Sequence, residues 1–348
     1  MKKPRRLRDI RVSRSRERRL LSRIRRRRAR LRQARADAMP VEFEARIACP
    51  AHFALEHSFH DELVSFLKAM REACLAGDKV VCLDFRSTKL MVAGGTLLFY
   101  SELCRLKAMF PQVAMRCIPS RDHVVNQVLQ HLGIFDALGY QSSVVPSRLD
   151  VVSWRVVSSG DVDGAKVGEL LEQYKSISGP IAGQLFRGAG EAMFNVRHAY
   201  LEDRRDGLPE PDEKRWWMFC RESETDLYVA VCDLGIGIPR SLPVKYPSEV
   251  LSSLAGAVSG TSRNHDARMI HAAMQLHRTV TNLKGRGKGL TDFVRVIDSV
   301  PGARLFIFSN RGMVRYEGHT SRQVSFHRSI KGTIVVWTIP LVKEGTRS

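Results

Sequence analysis

The first 35 residues decide where in this chain a core can be built. They hold 18 of the 56 Lys and Arg but only two acids, Asp9 and Glu17, and so carry +16 of the net +20. No aromatic residue and few apolar ones interrupt the run, so it cannot bury enough surface to fold alone. The other 313 residues are almost balanced, at +4, and any globular fold must come from them. The segment 1–38 reads as an Arg-rich arm, disordered or helical, suited to electrostatic contact with nucleic acid. It has no interleaved aromatics for base stacking, which argues against sequence-specific or single-strand recognition. A solvated tail, a transit peptide and a start at Met39 are the alternatives.

At 348 residues and 44% apolar composition, the chain has room for two domains. It has no run of 18 apolar residues and no apolar stretch of the secretory type, so the expectation is a cytoplasmic protein with no membrane partner. Seven cysteines at irregular spacing, with no C-x-x-C pair, predict buried thiols rather than a disulfide framework or a zinc site.

Between residues 40 and 140, strand and helix signals alternate. VEFEARIAC, KVVCLDF and VAMRCIP read as strands. Leu63 to Leu75, Leu97 to Phe110 and HVVNQVLQHLGIFDALG read as helices. The alternation predicts a parallel or mixed sheet covered by helices. The order, with KVVCLDF, a short loop and the glycine-containing helix start MVAGGTLLF, resembles a STAS domain. In bacterial regulators of that family, a Ser at this helix start is phosphorylated by a partner kinase. Here the position reads Val92-Ala93-Gly94-Gly95, without a hydroxyl; Ser87, Thr88 and Thr96 are the nearest substitutes. A packing or partner-binding role is therefore expected. Residues 141–150 (QSSVVPSRLD) read as a linker.

The second half carries three segments that belong together. GEAMFNVRHAYLE has helical apolar spacing, which puts Glu191 and Asn195, four apart, on one face. LYVAVCDLGIGIP runs an apolar strand into Asp233, followed by Gly235, Gly237 and Ile238. A carboxylate at a strand end can accept a hydrogen bond from a ligand amine, and glycines let the backbone approach closely. KGRGKGLTDF sets Gly285, Gly287, Lys288, Gly289 and Leu290 at a helix start, where backbone N–H groups suit phosphate.

The ordered set resembles the GHKL superfamily of histidine kinases, type II topoisomerase ATPase subunits, heat-shock chaperones of that class, mismatch-repair ATPases and anti-sigma kinases. The resemblance runs from about 152 to 342. It implies an α/β fold, an α+β two-layer sandwich of the Bergerat ATP-binding type, as a domain over 151–342 with an ATP lid at about 240–284. It also implies ATP and Mg²⁺ as ligands, with Asn195 on the metal and Glu191 as general base. Asp233 would bind the adenine amine, with Gly235 and Gly237 shaping the pocket and His198 a candidate phosphate contact. Gly285, Gly287, Gly289 and Leu290 would face phosphate, and Lys288 would flank it. Thr333, in Lys331-Gly332-Thr333 before IVVWTIPL, would support the adenine site.

No acceptor-histidine box precedes this segment, which argues against a conventional sensor histidine kinase. The expected function is ATP binding with Mg²⁺-dependent hydrolysis coupled to lid closure and control of a protein partner or assembly. A Ser/Thr kinase of the anti-sigma type and a non-hydrolysing ATP-gated scaffold are the alternatives. A homodimer is possible by analogy, although no heptads impose it.

Overall fold

The computed structural model describes residues 45–161, 163–174, 179–199, 214–247, 249–251, 264–279 and 289–341. The expected arm, 1–38, lies outside them. The described residues fall in one compact unit.

The fold is mixed α/β. Strands β1 (Ala45–Ala48), β3 (Val80–Asp84) and β5 (Ala114–Ile118) form a parallel sheet in the order β1-β3-β5. Helices α1 (His57–Ala76) and α2 (Ala93–Met109) make the connections, and α3 (His123–His131) follows β5. Strands β2 (His52–Phe53) and β4 (Leu90–Met91) pair in parallel beside α1 and α2. The helix boundaries have local causes. Gly77, at φ +83°, closes α1 in the left-handed conformation and donates to the carbonyls of Ala73 and Cys74. Asp122 caps α3, accepting from Val124 N at 2.7 Å and Val125 N at 3.1 Å.

The remaining strands make a second, seven-stranded sheet with every neighbouring pair antiparallel. They are β6 (Arg155–Ser159), β7 (Trp216–Glu222), β8 (Asp226–Asp233), β9 (Arg304–Ser309), β10 (Gly312–Glu317), β11 (Thr320–Ser325) and β12 (Thr333–Pro340), in the order β11-β10-β9-β12-β8-β7-β6. Its central strands are buried on both faces. Leu227, Val229 and Val231 of β8, with Val335, Trp337 and Ile339 of β12, pack toward α4 (Gly164–Glu172), α5 (Gly179–Ala199), α7 (His265–Thr279) and α8 (Gly289–Ser299). Their alternates, including Ala230, Cys232, Ile334 and Val336, belong to the core that contains Leu97, Leu98 and Phe99 of α2. Period-2 alternation disappears when both faces are covered, so LYVAVCD and TIVVWTIP read as unbroken apolar runs.

Helix α2 is therefore a shared layer. It packs on β7, β8 and β12 on one side and on α1 on the other. Its sequence is apolar almost all round because it has almost no solvent side. A buried ion pair, Arg71 to Glu102 at 3.2 Å, joins α1 to α2. Breaking one partner of such a pair costs more than the pair contributes.

The cysteine expectation fits this packing. No disulfide joins the seven thiols; Cys104 and Cys117 are partly exposed and the other five are buried. Burial pushes Cys74 up to about 11 and Cys117 up to about 12, so both stay protonated and unreactive.

His60, buried in the first turns of α1, stacks on Phe326 with ring centroids 3.7 Å apart and planes 5° from parallel. Burial lowers its pKa from 6.5 to about 4, against the opposing pull of Asp61. Above pH 6.5 the ring is neutral in both folded and unfolded chains, and the packing is fully stabilising. As pH falls from 6.5 toward 4, only the unfolded chain takes the proton, so stability is lost across that window. At about 1.4 kcal/mol per pH unit, the loss is up to about 3 kcal/mol. Wild type should lose that much more than His60→Leu between pH 7 and pH 4 in urea unfolding. Parallel pH curves for the two proteins would refute this assignment.

Candidate functional site

Asp233 is the last residue of β8 and is 8% exposed. Strand register sets it opposite Thr333, the first residue of β12, and sets Thr333 opposite Ser309, the last residue of β9. The three polar residues form a row across adjacent strands at one end of the sheet. Each continues the side-chain column that faces α5 and α8, where Val231, Val335 and Ile307 precede them. A row of one carboxylate and two hydroxyls at the end of an apolar column is a hydrogen-bonding edge with a greasy floor. That combination suits a flat, polar-edged ligand.

The turn after β8 is wired into this row. Asp233 Oδ1 accepts from Gly235 N at 2.8 Å. Gly237 has φ +80° and caps α6 (Ile238–Lys245). A Cβ there would lie 2.7 Å from Asn310 Nδ2 and 2.8 Å from Ser309 Oγ. Ile238 N donates to Ser309 Oγ at 2.8 Å, and Asn310 Nδ2 donates to the Ile236 carbonyl at 2.8 Å. Ser309 Oγ and Thr333 Oγ1 are 3.0 Å apart. The Gly-x-Gly turn thus rests on the two-residue hairpin loop Asn310-Arg311, whose Asn takes the left-handed conformation at φ +52°.

Of the residues singled out in the sequence, this cluster joins Asp233, Gly235, Gly237, Ile238 and Thr333. Glu191 and Asn195 lie on α5, which packs on the same sheet through Leu185, Ala189, Ala192, Met193 and Val196. Glu191 is half-buried at the flank of that face, and Asn195 is exposed one turn on. Gly289 and Leu290 open α8 as expected. The side chains of His198 and Leu290, and all of Gly285, Gly287 and Lys288, lie outside the described residues. Ser309 and Asn310 are the members that the sequence reading missed. Their signal is slight: a two-residue polar break ending the apolar run LFIF.

The segment expected to act as a lid, 240–284, contains α7. Ile270, Ala272 and Ala273 of that helix are at most 1% exposed, packed in the core. A swing of the whole segment would expose them.

The helix start that carried the STAS resemblance is sealed. Ala93 and Thr96 are buried, and Gly94 lines a cavity of about 50 Å³ against Tyr228, Phe308 and Val336. Thr88 is buried, donating to the Pro50 carbonyl at 2.9 Å. Of the three substitute hydroxyls only Ser87 is exposed.

An open groove of about 1020 Å³ lies at the opposite end of the large sheet, beside the β7–β8 hairpin. Of its lining charges, Asp150 is paired with Arg148 at 2.9 Å and, at 3.9 Å, with Arg221 beside the groove. Nothing there assembles a reactive set.

Among the described residues, no group of three or more His, Cys, Asp or Glu sits close enough to hold a metal ion. No helix among them is long and apolar enough to cross a membrane. A scan against protein-family models finds no match to this chain, and a search of the curated proteins finds none.

Proposed function

We propose that the chain is an ATP-binding regulatory protein of the GHKL type, with a Bergerat-type nucleotide domain preceded by a STAS-like layer. The observation that carries the reading is the row Asp233–Thr333–Ser309 closed by the Gly235–Gly237 turn. Its carboxylate can accept from an exocyclic amine, and the turn lets a ring approach the backbone. The start of α8, whose first N–H groups have no partner within the helix and whose dipole end is positive, follows the Gly-rich stretch and suits phosphate. Asn195 is exposed on α5, so its amide oxygen is available to a Mg²⁺ ion that also ligates nucleotide phosphates. Such an ion would neutralise phosphate charge. Glu191, one turn earlier on the same face, is the candidate base that orients water for hydrolysis. The regulated partner is a protein or an assembly, and the arm of residues 1–35 is the candidate nucleic-acid contact.

Nucleotide-dependent melting tests the reading. ATP with Mg²⁺ at about 100 times Kd should add about 2.7 kcal/mol of stability. That is a rise of about 4 °C or more in Tm. Asp233→Ala should lose this rise. Glu191→Gln should keep it and lose phosphate release. No rise in wild type, or an equal rise in Asp233→Ala, would reject the site; equal phosphate release by wild type and Glu191→Gln would reject hydrolysis through Glu191.

A further inference from the structure

Both loops that bracket the candidate pocket are held from outside the nucleotide domain, by α1 and α2. Arg105, on α2, is 6% exposed and donates through Nη1 to the carbonyl of Leu234 at 3.0 Å. Leu234 stands between Asp233 and Gly235, so this bond grips the turn at its first residue. Among the described residues the same guanidinium also donates through Nε to Met109 Sδ at 3.4 Å, a weak acceptor, so its main acceptor is that carbonyl. On the second side, the segment 326–332 leads into Thr333. Asp61 Oδ1, near the start of α1, accepts from Arg328 N at 3.2 Å, and His60 stacks on Phe326. The same segment is tied to the site itself: Ile330 N donates to the Asn310 carbonyl at 3.0 Å, and Asn310 N donates to the Gly332 carbonyl at 3.2 Å.

We infer that the α1–α2 layer is a built-in regulator of the nucleotide pocket, with Arg105 as its positioning residue. A buried arginine whose main acceptor is one backbone carbonyl fixes that carbonyl's place, because leaving the charge unbonded is costly. Displacing α2 removes one of the bonds that hold the turn carrying Asp233. By linkage, nucleotide binding tightens α2 on the sheet, and a partner that moves α2 changes nucleotide affinity by the same factor. This inference rests on the ATP reading above.

The test uses the full chain and measures the Kd for ATP with Mg²⁺ by calorimetry, alongside melting without nucleotide. Arg105→Met should raise Kd about tenfold, the loss of one charge-assisted hydrogen bond's worth of positioning. Arg105→Lys, which restores a donor, should recover most of that loss. Leu103→Ala, a cavity in the same helix, should lower the melting temperature at least as much while leaving Kd within about twofold. A purely structural role predicts instead that Kd tracks melting temperature across all three variants, and that result would overturn the inference. So would a wild-type Kd in Arg105→Met. If Arg105→Met does not fold, Asp61→Ala carries the test, because it removes the tie to Arg328 N, and an unchanged Kd in that variant overturns the inference. If wild type binds and Asp233→Ala does not, an unaffected Arg105→Met sinks the regulator alone. A wild type that does not bind ATP sinks both.

Discussion

Replacing Gly332 with Ala is expected to cost about 3 kcal/mol or more and to abolish the ATP-dependent rise in Tm. Gly332 has φ +155°, outside the range of L side chains. A Cβ there would sit 2.3 Å from the Asp233 carbonyl oxygen and 3.1 Å from the Leu234 Cα. Both are backbone atoms of the strand end and turn that carry the candidate adenine contact, so relief must come from moving that turn. The preceding Lys331 is itself left-handed, at φ +58°. Two successive residues of this kind immediately before Thr333 store strain where the ligand is proposed to bind. Gly318→Ala is the control: it has φ +53° but open space around the added methyl. It should cost only about 1 kcal/mol and leave the ATP response intact. Urea unfolding with and without ATP and Mg²⁺ reads both. A Gly332→Ala protein within 1 kcal/mol of wild type and responding fully to ATP would contradict the proposed pocket geometry.

Much of the architecture could be read locally. The three strands expected in residues 40–140 pair in parallel, as strand–helix alternation requires. The expected helix starts came out late. Leu63 and Leu97 are the first strongly periodic apolar residues, whereas the helices begin at His57 and Ala93. The polar first turn of α1 hid its start, whereas the glycine pair at the start of α2 had already marked a helix start in MVAGGTLLF although the periodicity begins only at Leu97. What local patterns could not supply was the second covered face of the large sheet. An unbroken apolar strand announces burial on both sides, but the covering helix, α2, comes more than a hundred residues earlier in the chain than β8. The candidate site divides in the same way. Asp233 and its glycines are contiguous and were legible. Ser309 becomes a neighbour of Thr333 only through strand register, which no local pattern specifies. Within 240–284 the apolar residues of HDARMIHAAMQLHRT form a stripe only at helical spacing, and α7 buries that stripe.

Gly95→Ala is expected to be the more damaging of two adjacent substitutions, costing about 3 kcal/mol or more, with Gly94→Ala costing about 1 kcal/mol. The difference is in what each methyl would meet. At Gly95 it would lie 2.3 Å from the Phe53 carbonyl oxygen and 2.7 Å from Ala54 N, all rigid backbone. At Gly94 it would approach the Val336 Cγ2 at 3.3 Å and the Leu55 Cδ1 at 3.5 Å, side-chain methyls bordering a cavity of about 50 Å³ that can absorb a few tenths of an ångström. The chain at Phe53 cannot retreat, because β2 is paired with β4 and Phe53 is fully buried against Phe66, Phe85 and Phe99. The helix must therefore move, and α2 is the layer that packs on β8 and holds the Leu234 carbonyl through Arg105. Loss of stability in Gly95→Ala should come with weakened ATP binding, while Gly94→Ala keeps it. Equal stabilities for the two variants would mean that the glycine pair is not there for close packing, and the helix start would then need another explanation.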